Sequence, residues 1–173
     1  MKYILDFDRV LFSWDAYAGD VKKRGLEHLL VHPDIWDVLD PDDYYYEDTL
    51  SFLGSQKKED LEVISAITPS YGPHAGTYQK RKIERSSIHN YVAHVTVMEG
   101  NKAPYVEKIA GAGRAIFVDD KLDNLTATHE LCPAILCIQL VRVGGSLESG
   151  ISTSDDIPVV HDLEGVNAIM RTL

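Results

Sequence analysis

Short apolar runs alternate with amphipathic stretches along nearly the whole chain, and this alternation is what most limits the folds open to it. Tyr3-Ile4-Leu5 and residues 61–67, 92–98, 115–118, 135–140 and 157–160 each have the length and composition of a buried strand. Residues 78–86, 102–109, 125–131 and 163–170 read as helices, the first of them exposed, and Gly111 and Gly113 end the second. Residues 143–154, rich in Gly and Ser, read as a mobile loop. Strands alternating with helices predict an α/β, Rossmann-like doubly wound sheet, mostly parallel. In such a sheet ligands bind at the carboxyl ends of the strands.

One stretch departs from the alternation. After Phe12 the spacing turns helical: Trp14, Tyr17 and Val21 recur at intervals of three and four, and Leu26, Leu29 and Leu30 continue the stripe. His32-Pro33-Asp34 and Asp40-Pro41-Asp42-Asp43 interrupt and restart it. Tyr44, Tyr45, Tyr46, Leu50, Phe52 and Leu53 carry the last helical stretch before Gly54. The expected organisation is an α/β core from residues 1–12 and 59–173, with residues 13–58 as a compact helical insert. Its aromatic rings serve to glue short helices together, and some can also face a ligand.

Composition excludes several classes. A chain of 173 residues with 45% hydrophobic content can bury one substantial core. A formal net charge of -10 argues against nucleic acid and anionic membranes as partners. Lys80, Arg81, Lys82 and Arg85 are the basic exception, read as the solvated face of a helix with phosphate binding as the other use. Cys132 and Cys137 lack metal-ligand spacing and read as small buried hydrophobes of a reduced protein. Acidic residues appear by Asp6, which is unlike a cleavable signal, and the apolar run 134–141 is too short to span a bilayer. The expectation is a soluble, cytoplasmic protein.

The chemistry concentrates at strand ends. Asp6 and Asp8 follow the first apolar run, separated by Phe7. Residues two apart on a strand share a face, so both carboxylates are expected to meet at one point. Two bare carboxylates that close repel each other unless a cation, a shared proton or solvent relieves them. A hard divalent cation such as Mg2+ is the simplest relief. An Asp-x-Asp can also merely end a strand and cap a turn. Here Thr68 follows the second run, Lys102 lies just beyond the third, and Asp119-Asp120 follows the fourth, which places four polar features at one sheet edge.

Asp-Phe-Asp-x-Val-Leu after an N-terminal hydrophobic strand resembles the first motif of the haloacid dehalogenase-like (HAD) phosphatase superfamily. Thr68, Lys102 and Asp119-Asp120-Lys121-Leu122-Asp123-Asn124 are similar to the second, third and fourth motifs in their family order. The resemblance covers nearly the whole chain, with residues 13–58 in the place of a small C1-type cap. It implies a Mg2+-dependent phosphatase of small phosphorylated metabolites. Asp6 would be the nucleophile and Asp8 the general acid and base. Mg2+ would be held by the Asp6 carboxylate, the Asp8 backbone carbonyl and the Asp119-Asp120 pair, with Asp120 the direct ligand and Asp119 binding through water. Thr68 and Lys102 would bind the phosphoryl group.

Two positions differ from the family pattern. Arg9 stands where these phosphatases usually carry Gly, so it must tolerate or alter that backbone; it is either near the substrate or directed to solvent. Thr68 is followed by Pro69, which leaves Ser65 and Ser70 open as the second-motif hydroxyl. Asp123 is the competing fourth-motif carboxylate if the register slips by one, and Asp162 reads as a helix cap. Other readings are a phosphotransferase or phosphomutase, and a phosphate-binding or regulatory protein with little turnover. A carbon–halogen dehalogenase fits less well, because that chemistry needs neither Asp8 nor the metal carboxylates. Surface aromatics of the insert are compatible with a homodimer.

Overall fold

The first strand, β1 (Lys2–Asp6), lies in the middle of a six-stranded, all-parallel sheet of order β3-β2-β1-β4-β5-β6. The computed structural model describes residues 1–144 and 152–172; residues 145–151, most of the expected loop, and 173 lie outside the described residues. The other strands are β2 (Leu61–Ile67), β3 (His94–Glu99), β4 (Ala115–Asp119), β5 (Leu136–Leu140) and β6 (Val159–Val160). Helices α3 (Ala75–Arg85), α4 (Ala103–Ala110), α5 (Leu122–Leu131) and α6 (Leu163–Met170) connect and close them. The doubly wound expectation therefore holds, with boundaries moved by a few residues.

Alternate strand residues divide the core into two layers. Leu5, Val63, Val118 and Ile138 belong to one apolar cluster, with Tyr78 and Ile83 of α3. Ile4, Ile64, Phe117 and Cys137 belong to the other, with Val106 of α4 and Leu125 of α5. Both faces are covered, which is why the strands read as continuous apolar runs. Burial pushes the Cys137 thiol up to about 12, so it stays a protonated core residue.

Residues 13–58 pack into the first of these layers. Ser13 caps α1 (Trp14–Lys23), its Oγ accepting from Ala16 N at 3.2 Å. The expected stripe through Leu30 is broken, because the helix ends at Lys23 and Gly25 takes φ 69°. Pro33 and Pro41 open 3-10 turns, Pro33–Asp37 and Pro41–Tyr44. The three tyrosines do not continue into the next helix. Tyr45 is extended and bridges Phe12, and α2 (Thr49–Ser55) begins beyond them. Tyr17, Trp36 and Phe52 of this segment share a cluster with Leu5 and Val63 of the sheet, and the Tyr17 and Trp36 rings stack at 4.9 Å. The Thr49 hydroxyl donates to Leu11 O at 2.9 Å, tying α2 to the chain leaving β1.

The helix expected to be exposed at 78–86 is instead half-buried. Ala75, Tyr78, Gln79, Lys82 and Ile83 form the inward face of α3, at the intervals of an amphipathic helix. No helix among the described residues is long and apolar enough to cross a membrane.

Candidate active site

The sheet order reverses between β1 and β4, and the crevice at their carboxyl ends is the expected binding place in such a sheet. Leu5 pairs with Val118 in the register, so Asp6 and Asp119 end adjacent strands. Lys102, the residue before α4, places Nζ 2.7 Å from Asp6 Oδ1 and 2.7 Å from Asp119 Oδ2. Asp6, Asp119 and Asp120 each offer a carboxylate oxygen within 4.8 Å of the others.

Each carboxylate in this trio has a different status. Asp119 is fully buried and saturated: Lys102 and the Asn124 amide reach Oδ2, while Lys121 N and the same amide reach Oδ1. Asp6 Oδ1 accepts from Phe7 N and Lys102. The Asp120 side chain accepts no hydrogen bond from any described residue, while Gln139 Nε2 holds its backbone carbonyl at 3.2 Å. Asp123 is exposed and absent from the trio, so the register that puts Asn124 on Asp119 is the one adopted.

One ammonium among three carboxylates leaves an excess of negative charge. Burial pushes the Asp6 carboxyl well above its usual range; Lys102 opposes the rise, and Asp119 and Asp120 add to it. Burial, with Asp119 beside it, raises Asp120 to about 7. Burial alone would lower Lys102, but Asp119 and Asp6 outweigh it and hold the ammonium charged.

Asp8 shares the cleft but not the trio. The period-two relation predicted for Asp6 and Asp8 stops at Asp6, where β1 ends. The chain then closes a tight turn: Leu11 N and Phe12 N both donate to Phe7 O, and Arg9 N donates to Phe12 O at 2.7 Å. Arg9 carries this turn at φ 66°, the left-handed conformation for which Gly is the usual residue. Asp6 is thus gripped from the α4 side of the sheet, and Asp8 from the α3 side. Lys82 Nζ lies 2.5 Å from Asp8 Oδ1, and Gln79 Nε2 donates to Asp8 Oδ2 at 2.7 Å.

Of the basic cluster of α3, Lys80 and Arg85 are exposed as expected, and Lys82 is the member that departs from the solvated face. Lys82 is fully buried, its ammonium 4.7 Å from the Phe12 ring centroid and 5.3 Å from that of Phe7. Burial lowers its basicity, with Asp8 acting against the shift. Arg81 pairs with Asp34 at 3.0 Å and with Asp37 at 2.6 Å, and Arg85 also pairs with Asp37, fastening α3 to the Pro33 turn. Gln79 and Lys82 were missed because their polarity suggested solvent. Their helical phase with Ala75, Tyr78 and Ile83 was the available signal.

The cleft encloses about 60 Å³. Its wall includes Asp6, Asp8, Thr68, Lys102 and Asp120, with Arg9, Trp14 and Tyr71 among its other residues. Trp14 stacks on Tyr71 at 5.5 Å and is the one residue of 13–58 in the wall. Among the open choices for the second hydroxyl, Thr68 lines the cleft. Ser65 is fully buried and accepts from Gln79 Nε2 at 2.6 Å, and Ser70 is exposed and outside the wall. Asp162 caps α6, accepting from Gly165 N at 2.7 Å.

No protein-family model matches the sequence, and no curated protein sequence matches it. Solved structures do resemble it. A haloacid dehalogenase-like hydrolase from Burkholderia xenovorans LB400 superposes with a TM-score of 0.64 at 15% identity, over 92% of this chain and 94% of that one. A HAD phosphatase from Thermococcus onnurineus gives 0.58 at 15% identity, over 98% of both chains. An L-2-haloacid dehalogenase from Xanthobacter autotrophicus gives 0.61 at 12% identity, over 99% of this chain and 98% of that one. The chain has the α/β fold of the haloacid dehalogenase-like hydrolases.

Proposed function

We propose that the chain is a haloacid dehalogenase-like hydrolase working as a Mg2+-dependent phosphatase on small phosphomonoesters. The observation that carries this reading is the placement of Asp6, Lys102, Asp119 and Asp120 at the β1–β4 crevice, with Asp8 in the wall of the same cleft.

The donor set suits a hard divalent cation. Three carboxylates against one ammonium are under-neutralised, and the Asp120 carboxylate is the one left without a donor among the described residues. Asp6, Asp120 and the Asp8 backbone carbonyl would hold Mg2+, with Asp119 behind them. Bound there, the ion supplies positive charge against the phosphoryl oxygens.

The chain's own residues do the rest. An Asp6 carboxylate oxygen attacks phosphorus while the bond from phosphorus to the ester oxygen breaks. Asp8 gives its proton to that leaving oxygen. Asp8 then takes a proton from water, whose oxygen attacks phosphorus and releases inorganic phosphate and free Asp6. Lys102 faces the phosphoryl oxygens as a fixed charge, and the Thr68 hydroxyl donates to one of them.

Cleft size sets the scale of what is held. The cleft is small, about 60 Å³, and the groups that would face a phosphoryl group line it. The rest of a substrate would extend past Arg9 and the Trp14–Tyr71 stack, which makes these residues the candidates for specificity. Dehalogenase chemistry, named for one of the similar structures, expels a halide, which leaves without a proton and gives Asp8 no acid's part to play.

A phosphate-release screen over small phosphoesters, run with Mg2+ and again with EDTA, tests the proposal. Metal-dependent release from a few related compounds is expected. No release from any compound by folded protein would overturn it, in favour of a protein that binds phosphate without hydrolysing it.

A further inference from the structure

Asp8 is held in a way that assigns its two oxygens different jobs. Oδ1 is paired with Lys82, a fully buried ammonium backed by the Phe7, Phe12 and Tyr78 rings. Oδ2 accepts from Gln79, which lines the cleft and whose amide is itself braced by the buried Ser65 hydroxyl. The carboxylate is thus fixed by donors from one helix, α3: Oδ1 by Lys82, which is not among the cleft-lining residues, and Oδ2 by Gln79, which is.

Such a build is costly unless it does something. A buried Lys gives up both solvent and side-chain freedom, and an apolar residue of similar volume would fill an aromatic box at lower cost. Nor does Lys82 pair with the carboxylate trio, whose ammonium partner is Lys102. Among the described residues, Asp8 is the carboxylate that Lys82 reaches.

We infer that Lys82 and Gln79 are positioning residues for Asp8, holding the carboxylate so that Oδ2 is the oxygen that exchanges a proton with the leaving group and with water. This rests on the phosphatase reading above and assigns residues that reading leaves unused. In the first half-reaction the Oδ2–H bond breaks as the ester oxygen takes the proton, while the phosphorus–ester bond cleaves. In the second, the proton returns to Oδ2 from water as its oxygen bonds to phosphorus. Lys82 stays on Oδ1 throughout and reaches neither substrate nor water.

The consequence is a leaving-group signature. An alkoxide departs badly without a proton, whereas a nitrophenolate departs well without one. Misplacing Asp8 therefore penalises alkyl phosphates and spares aryl phosphates in the step that forms the phospho-enzyme. A residue that only supported the fold would lower both alike.

The test compares wild type, Lys82→Met and Gln79→Met on glycerol phosphate and on p-nitrophenyl phosphate, with Mg2+ at saturation. The readout is single-turnover release of the alcohol or phenol, and thermal unfolding is followed in parallel. Lys82→Met is expected to lose about 10²-fold on the alkyl ester, the low end of a general acid's contribution, and less than about fivefold on the aryl ester, with little change in KM. Gln79→Met is expected to show the same selectivity at smaller amplitude. It removes no charge, so it keeps the test decisive if Lys82→Met does not fold. Equal losses on the two esters, or no loss on either, would overturn the positioning role while leaving the phosphatase standing. Wild type inactive on every ester in the wider screen would instead remove the phosphatase reading itself.

Discussion

Asp6 and Asp119 end neighbouring parallel strands, and a single ammonium, that of Lys102, stands 2.7 Å from each. The relationship is possible because the sheet order reverses between β1 and β4 and leaves a crevice where α4 can begin. It also creates a charge imbalance, since Asp120 stands in the same group with no donor of its own among the described residues.

Replacing Asp6 with Asn should abolish phosphate release and leave the fold intact. It also removes one of the crowded charges, so the metal-free variant should unfold at a temperature equal to or above that of wild type at pH 8. Retained turnover would remove Asp6 as nucleophile.

Lys102→Met should cut turnover by roughly 10² to 10³, the loss seen when one charge-stabilising group is removed. It leaves Asp6 and Asp119 buried without their cation, so a fall in stability of about 3–5 kcal/mol should accompany it. Denaturant unfolding and steady-state rates check the two effects separately. A near-normal rate would point to Lys121 or Arg9, both in the cleft wall, as the working cation.

Arg9 holds a left-handed backbone at φ 66°, a conformation that costs an L-residue about 1–2 kcal/mol. Arg9→Gly should recover up to about 1 kcal/mol in denaturant unfolding, part of the relief being lost to the greater freedom of the unfolded chain. If the guanidinium binds substrate, KM should rise in the same variant. A KM equal to that of wild type would place the side chain outside substrate recognition.

The metal-free protein should lose stability as pH rises. Asp120 titrates near 7 when folded against an ordinary 3.8, and Asp6 is raised as well, both chiefly by burial. A raised carboxyl favours the folded state below its unfolded value and loses that contribution as pH climbs through the folded one. The melting temperature of Asp120→Asn, measured without metal, should therefore gain on that of wild type between pH 4 and about 8. Mg2+ should raise the wild-type value most at the upper end, where the carboxylates are ionised. A parallel course for wild type and variant would mean that Asp120 is not strained by its neighbours.

Much of this molecule was legible in the chain itself. Apolar runs such as 61–67 and 115–118 read as buried strands, and they are inner strands of a parallel sheet covered on both faces. Asp6, Thr68, Lys102 and Asp119-Asp120 each followed such a run, so one sheet edge had to collect them. Proline placed the turns at Pro33 and Pro41, but it could not say that these turns would be 3-10 and pack onto the sheet.

The identity of the acidic strand ends, their order and their edge were thus determined by sequence, because strand length and hydrophobic continuity are local properties. Which cation serves which carboxylate was decided only by the tertiary structure. Lys102 meets Asp6 and Asp119 because α4 starts at the crevice, and Lys82 meets Asp8 because the turn at Arg9 carries that carboxylate toward α3. Local pattern gives every lysine the same prior for solvent. Burial of Lys82 became tolerable only when folding brought a carboxylate from 74 residues away to meet it.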